Sequence, residues 1–143
     1  MTINKKIVLI ILQFIIFKFI FAQTTSLNYQ FEDIDFVKIT YFPNPVLGFE
    51  PKEYILSGQR DIKIFISFFN CSRPSETSTL VSMIEGEYEI EVFNKNHSES
   101  KFKIISGGNY LKDITTGKIF LNERIYFYIQ QVIYGDIIKK LAK

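Results

Sequence analysis

Residues 7–22 form a nearly unbroken apolar run rich in Ile and Phe, interrupted by Gln13 and Lys18. Lys5 and Lys6 stand ahead of it, and behind it Ala22 gives way to Gln23-Thr24-Thr25-Ser26. A basic start, an apolar middle and a small residue at the cut is the layout of a secretory signal peptide. The pattern predicts a signal peptide over residues 1–22, cleaved after Ala22 so that Gln23 becomes the mature N-terminus. The competing reading is a retained anchor. A spanning helix needs about 20 apolar residues, and this run is shorter and carries a charge. With Cys71 the single cysteine, no lipid-attachable thiol follows the run.

Beyond Ala22 the pattern becomes alternation, the signature of half-buried strands. Leu27, Tyr29 and Phe31 alternate with polar residues, as do Val37, Ile39 and Tyr41. Pro43-Asn44-Pro45 then breaks the chain, because two prolines that close do not fit a sheet interior. Residues 54–56 form a short strand candidate closed by Ser57-Gly58. Ile62, Ile64, Ile66 and Phe68 predict one face of a longer strand, with Phe65 and Phe69 on the other. Residues 70–79, polar and carrying Pro74, read as a loop.

The strongest local pattern follows. Glu87, Glu89 and Glu91 alternate with Tyr88, Ile90 and Val92, and Lys101 and Lys103 alternate with Phe102 and Ile104. Folded about Lys95-Asn96-His97, the two stretches place Glu91 opposite Lys101, Glu89 opposite Lys103, Ile90 opposite Phe102 and Tyr88 opposite Ile104. Opposite charges then meet on the wet face and apolar side chains on the core face. Gly107-Gly108-Asn109 and residues 115–118 read as turns, residues 123–134 as a long strand, and residues 137–141 as a last strand or one helical turn. The whole predicts an all-β fold, an antiparallel, Greek-key-like β-sandwich of about seven strands, in a single domain over residues 23–143.

Composition narrows the function classes. Lys5, Lys6 and Lys18 leave with the signal peptide, so the mature chain has 14 basic and 15 acidic side chains, a net charge of −1. Such a balance lacks the basic footprint of a nucleic-acid binder. One cysteine cannot form an internal disulfide, so the fold must stand on packing; Cys71 is left as a free thiol or an intermolecular partner. All eight Tyr and eleven of the fifteen Phe lie in the mature part, which suits sheet packing.

Candidate chemistry is thin. His97 is the single histidine and falls at a hairpin tip, where a solvent-facing side chain is the ordinary explanation; no Ser-His-acid or Cys-His pair and no His-based metal cluster can be assembled around it. Glu85, Glu87, Glu89 and Glu91, spaced by two, project from one strand face in a row, whereas calcium needs six to eight converging oxygens. Tyr126, Tyr128 and Tyr134 offer an aromatic face for glycans, though Trp is absent and a Tyr-rich face is more often core or sheet surface. Asn70-Cys71-Ser72 and Asn96-His97-Ser98 fit the N-glycosylation pattern. The expectation is a non-enzyme without cofactor or metal.

Two segments carry a family resemblance. Tyr41-Phe42-Pro43-Asn44-Pro45-Val46 resembles the Y-P-N-P-V opening of the C-terminal sorting domain of the type IX secretion system, a Bacteroidota family that folds as a small antiparallel β-sandwich. Residues 121–141 (LNERIYFYIQQVIYGDIIKKL) are similar to that domain's closing pattern, a Gly-Ile-Tyr-Phe-Tyr-like strand, a Gly turn and a Lys-Lys-Leu-like finish. Residues 62–69 would correspond to its middle strand. Arg124 stands where the family has Gly, and Gly86-Glu87-Tyr88 offers a rival match. The resemblance implies a tag read by secretion machinery, with Phe42, Pro43, Asn44, Pro45, Lys139 and Lys140 as recognition residues.

Together these readings predict an exported module, placed in the periplasm, at the cell surface or outside the cell. It would be recognised by, or bind, a protein partner in the secretion machinery or envelope, with no nucleic acid and no membrane span once the signal is removed. The alternative is a free-standing immunoglobulin-like binding domain for a protein or glycan, using residues 70–79 or the Tyr face.

Overall fold

A computed structural model describes residues 26–76 and 86–141 of the chain. The expected signal peptide over residues 1–22, its Ala22–Gln23 junction, Glu85 and residues 77–79 lie outside the described residues. The protein is mostly β. Among the described residues seven antiparallel strands form one sheet: β1 (Ile34–Pro43), β2 (Lys52–Leu56), β3 (Arg73–Ser75), β4 (Gly86–Asn94), β5 (Glu99–Ile105), β6 (Tyr110–Asp113) and β7 (Ile119–Leu121), in the order β2-β1-β4-β5-β6-β7-β3. The β4–β5 hairpin has the register the charges dictate: Glu91 opposite Lys101, Glu89 opposite Lys103, Ile90 opposite Phe102 and Tyr88 opposite Ile104.

The fold is sandwich-like in having two layers, but among the described residues the layer covering the sheet is built of two helices, α1 (Gln59–Phe69) and α2 (Ile125–Leu141). Both segments were expected as strands, and the helical assignment corrects that expectation. In α1 the fully buried residues are Ile62, Phe65, Ile66 and Phe69, the i, i+3, i+4, i+7 set that one helix face presents. Among the described side chains of α2 the buried ones are Ile125, Ile129 and Ile133, four apart. Phe127, which a strand would bury beside Ile125 and Ile129, is 65% exposed.

Strand alternation sets the other half of the core. Val37, Ile39, Leu56, Tyr88, Ile90, Val92, Phe102, Ile104, Leu111 and Phe120 are buried and join the helical set in one cluster. Burying each such aliphatic side chain contributes about 2 kcal/mol. Phe65 stacks on Phe69 with ring centroids 5.3 Å apart, and Phe69 meets Phe102 of β5 edge-on at 4.9 Å. The opposite face carries the charged side chains, a stacked pair of Phe36 and Phe93 at 4.2 Å, and the exposed Ile55 and Phe42, opposite Lys38 and Glu87.

Residues 26–30, read as a strand by alternation, carry no ladder. Asn70 replaces one: its side-chain amide donates to the Tyr29 carbonyl at 2.7 Å and accepts from the Tyr29 N–H at 2.9 Å. That clasp sets the Tyr29 ring against Phe69 and Phe102. It also ties up the nitrogen that glycosylation at Asn70 would need, whereas Asn96 lies exposed in the β4–β5 turn.

A second amide organises the helical layer. Asn122, 2% exposed, accepts from the N–H groups of Arg124 and Ile125 at 3.1 and 3.0 Å and thereby caps the start of α2. Its Nδ2 donates to the Phe68 carbonyl at 2.9 Å and to Ser72 Oγ at 2.8 Å, a second bond for each, since the Phe68 carbonyl also takes the Cys71 N–H at 3.1 Å and the Ser72 hydroxyl donates to the Phe69 carbonyl at 2.6 Å.

Candidate functional site

The Pro-Asn-Pro motif builds the turn after β1. Pairing of β1 with β2 ends at Tyr41 opposite Lys52, so Pro43 sits where β2 asks for no ladder hydrogen bond. Pro43 lies opposite Gly86 of β4, whose φ of +140° and close neighbours demand glycine: a Cβ there would stand 2.3 Å from the Phe42 carbonyl oxygen. Asn44 accepts from the Val46 N–H at 3.0 Å and caps a 3-10 turn, Pro45–Leu47, with Pro45 in its first position. Gly48, at φ +66°, closes the turn in the left-handed region.

Phe42, Pro43, Asn44 and Pro45 are therefore brought together at one corner of the sheet. Lys139 and Lys140 lie in the last turn of α2, and their side chains fall outside the described residues. The residues that stand out at the corner are others. Val46 is 90%, Phe49 66% and Leu47 52% exposed, and Ile55 of β2 is 61% exposed. Isolated exposed apolar side chains are ordinary, but here most of those in the described structure share one hairpin. The sequence did carry a signal for them: three large apolar residues in a stretch punctuated by Pro45, Gly48 and Pro51, where loops are normally polar.

Along β2 runs a cleft of about 380 Å³, lined by Glu53, Tyr54, Ile55 and Leu56 on one side and by Asp61, Tyr128, Gln131, Val132 and Gly135 of the helices on the other. Burial and the nearby Asp61 charge push the Tyr128 hydroxyl above its ordinary pKa. A smaller cleft of about 320 Å³ lies by Cys71, Arg73, Leu121, Asn122, Glu123 and Arg124. Cys71 is an exposed free thiol whose Sγ donates to the Ser67 carbonyl at 3.2 Å.

The other sequence candidates are placed as follows. His97 is exposed at the hairpin tip with φ +66°. Tyr126 packs on Tyr88, and Tyr128 on Phe68 and Phe65, so both are half-buried members of the helical layer; the Tyr134 side chain is outside the described residues. Among the described residues no three His, Cys, Asp or Glu side chains gather to hold a metal ion, and no helix there is long and apolar enough to cross a membrane.

Glu87, Glu89 and Glu91 do form a row on the polar face. Lys103 pairs with Glu87, while Glu91 is held from both sides by Lys38 of β1 and by Lys101 of β5 at 2.7 Å. Lys101 also reaches Glu99 at 3.0 Å, and Lys38 reaches Glu53 at 3.9 Å. Burial alone would lift the Glu91 carboxyl; hydrogen bonds from Lys101 and Lys38 outweigh it and leave the group below its ordinary 4.5. A carboxyl depressed by folding stabilises above its unfolded pKa, and that contribution is lost as pH falls through the folded value. The urea midpoint is thus expected to drop between about pH 6 and about pH 3, and Glu91→Gln should be less stable at pH 6 with a shallower acid slope. Equal slopes for both proteins would remove Glu91 from that role.

No protein-family model matches the chain, and neither does any curated protein or solved structure.

Proposed function

We propose that the chain is an exported, non-enzymatic module that works by docking a protein partner at the β1–β2 corner of its sheet. The carrying observation is the exposure of Val46, Leu47 and Phe49 on a turn whose backbone is fixed by Pro45, the Asn44 cap and Gly48. A contiguous exposed apolar patch on a well-ordered turn is what a recognition surface requires. The basic-then-apolar stretch over residues 1–22 supports export. The resemblance of Tyr41–Val46 to a sorting-domain opening gives the reading a sharper form, in which the partner is secretion machinery.

The test uses the full chain in a Bacteroidota host, with a photo-crosslinking residue at Phe49 or, as control, at His97. The expected result is an adduct from Phe49 and none from His97. N-terminal sequencing of the recovered protein is expected to start at Gln23. Val46→Asp combined with Phe49→Asp should abolish the adduct formed from Leu47 while changing stability by no more than about 0.5 kcal/mol, as exposed substitutions do. An unchanged adduct in that variant would overturn the docking reading. For the sorting form, a reporter must sit between residues 1–25, which carry the export signal, and residues 26–143, and not ahead of a piece starting at Tyr41, because β1 begins at Ile34 and lies inside the sheet. Surface delivery supports that form, and periplasmic retention removes it.

A further inference from the structure

We infer that the chain pairs with a second copy of itself, β2 against β2 about a two-fold axis at Tyr54, with Lys52 of each protomer meeting the partner's Asp61.

The two edges of the sheet differ. At one end β3 is three residues long and contains Pro74, both devices that blunt an edge against further pairing. At the other end β2 spans five residues, has no proline, and pairs with β1 without a register shift. The pairing with β1 also fixes which way its side chains point. Lys52, Tyr54 and Leu56 stand opposite Tyr41, Ile39 and Val37, which belong to the core cluster or pack on it, so these three turn to the helical side. Glu53 and Ile55 stand opposite Thr40 and Lys38 and turn to the charged face. On the helical side the cleft along β2 brings Tyr54 and Leu56 together with Asp61 of α1 and with Tyr128 and Val132 of α2. The Asp61 carboxylate hangs over Gly58, two residues beyond Leu56: its Oδ2 lies 3.4 Å from where a Gly58 Cβ would be.

Charge and register select the second copy. Neither Lys52 nor Asp61 has an ion-pair partner among the described residues. Within one chain they cannot meet, because Lys52 opens β2 and Asp61 follows its end, in the first turn of α1. An antiparallel copy reverses that order. With all five residues overlapping, Tyr54 lies on Tyr54, Glu53 opposite Ile55 and Lys52 opposite Leu56. No like charges face each other. Gly58 is then the diagonal neighbour of the incoming lysine, about 7–8 Å across the ladder and within reach of a long side chain. Each Lys52 thus enters the partner's cleft toward the Asp61 carboxylate and forms a charge-assisted contact. The two-fold axis makes that contact twice, one on each side of a central tyrosine pair. Registers that keep both helical layers on one side differ from this one by steps of two residues. One step sets Glu53 on Glu53. The opposite step pairs only residues 54–56 of each strand with their counterparts and presses the partner's Pro51 against Gln59, where the chain has already turned into α1. The full overlap joins the two seven-stranded sheets into one, with affinity from main-chain hydrogen bonds and register from the side chains.

The experiment follows the exported chain, carrying Cys71→Ser to prevent intermolecular disulfides, by sedimentation over a wide range of concentration. A monomer–dimer equilibrium is expected, with amide hydrogen exchange across residues 52–56 slowing as the dimer forms. Lys52→Glu alone and Asp61→Lys alone place like charges in both contacts. Each should weaken association about a hundredfold, tenfold for each of the two contacts. Mixed together, the two variants regain both pairs: Lys52→Glu of one chain meets Asp61→Lys of the other, and the native lysine meets the native aspartate across the axis. The mixture is therefore expected to associate as the parent does. Asp61→Lys also gives up a favourable charge at the start of α1, and the mixture controls for this, since a lost fold is not repaired by a second chain. A chain that stays monomeric at every concentration, association that neither substitution weakens, or a mixture that fails to associate would each overturn the pairing. An adduct from Phe49 on a chain that stays monomeric removes the pairing and leaves the docking reading standing; a dimer without the adduct removes the docking reading alone.

Discussion

Phe69→Ala is expected to lower the unfolding free energy by about 4 kcal/mol, in the upper range for truncation of a fully buried aromatic. Phe69 has no exposure and joins three parts of the molecule. It stacks on Phe65 within α1, and its ring meets Phe102 of β5 and Tyr29 of the N-terminal segment edge-on. Alanine removes the ring from all three at once and leaves a void that a sheet on one side and a helix on the other cannot collapse to fill. Domains of this size have about 5–15 kcal/mol in total, so the variant should sit near the limit of folding. Urea denaturation measures it, with Phe69→Leu and Phe127→Ala for comparison. The first should recover much of the loss, and the second, at an exposed site, should cost less than about 0.5 kcal/mol. A loss under about 1.5 kcal/mol for Phe69→Ala would mean that the layers are not joined there.

Asn122→Ala is expected to cost about 3 kcal/mol, or about 10 °C in Tm. The side chain is buried and uses both ends of its amide. Removing it uncaps α2 and takes one hydrogen bond each from the Phe68 carbonyl and the Ser72 hydroxyl, which keep only the Cys71 N–H and the Phe69 carbonyl; a cap is worth about 1 kcal/mol and each buried hydrogen bond about 1 kcal/mol more. Asn122→Asp separates the two roles. It keeps an acceptor for the Arg124 and Ile125 N–H groups, but it loses the donor and turns a carboxylate toward the Phe68 carbonyl. Aspartate is therefore expected to fail as a replacement, and thermal unfolding of the two variants side by side decides it. Rescue by aspartate would show that capping alone accounts for the effect.

How much of this was legible in the sequence depended on whether one periodicity stood alone. In residues 86–105 charge and hydrophobicity agree on a period of two, so both strands and their register followed from the residues. In residues 62–69 two periods coincide. Ile62 and Ile66 belong both to the alternating set with Ile64 and Phe68 and to the helical set with Phe65 and Phe69, and β-branched isoleucine tilts a local reading toward strand. Tertiary burial decided for the helix. The same ambiguity held in residues 125–133, where the missed signal was Asn122, a capping residue three positions ahead of Ile125. The strand β3 was hidden by Pro74, which is tolerated because that strand is an edge. At the candidate site, the Pro-Asn-Pro motif was visible, but its local work is to make the turn; the exposed side chains it displays follow it. The cleft along β2 was not legible, because its walls come from residues some seventy positions apart.

The strand order has a kinetic consequence. β4 through β7 form a meander of sequential neighbours, whereas β1 lies between β2 and β4, with the whole of α1 and β3 intervening in the chain. A polypeptide emerging from its N-terminus can close the β1–β2 hairpin early. The inner side of β1 then stays unpaired until residue 94 has appeared, as an open template for wrong partners. Synthesis or transport that stalls inside that interval should leave the chain at its most prone to aggregate, and completion of β4 should end the hazard abruptly.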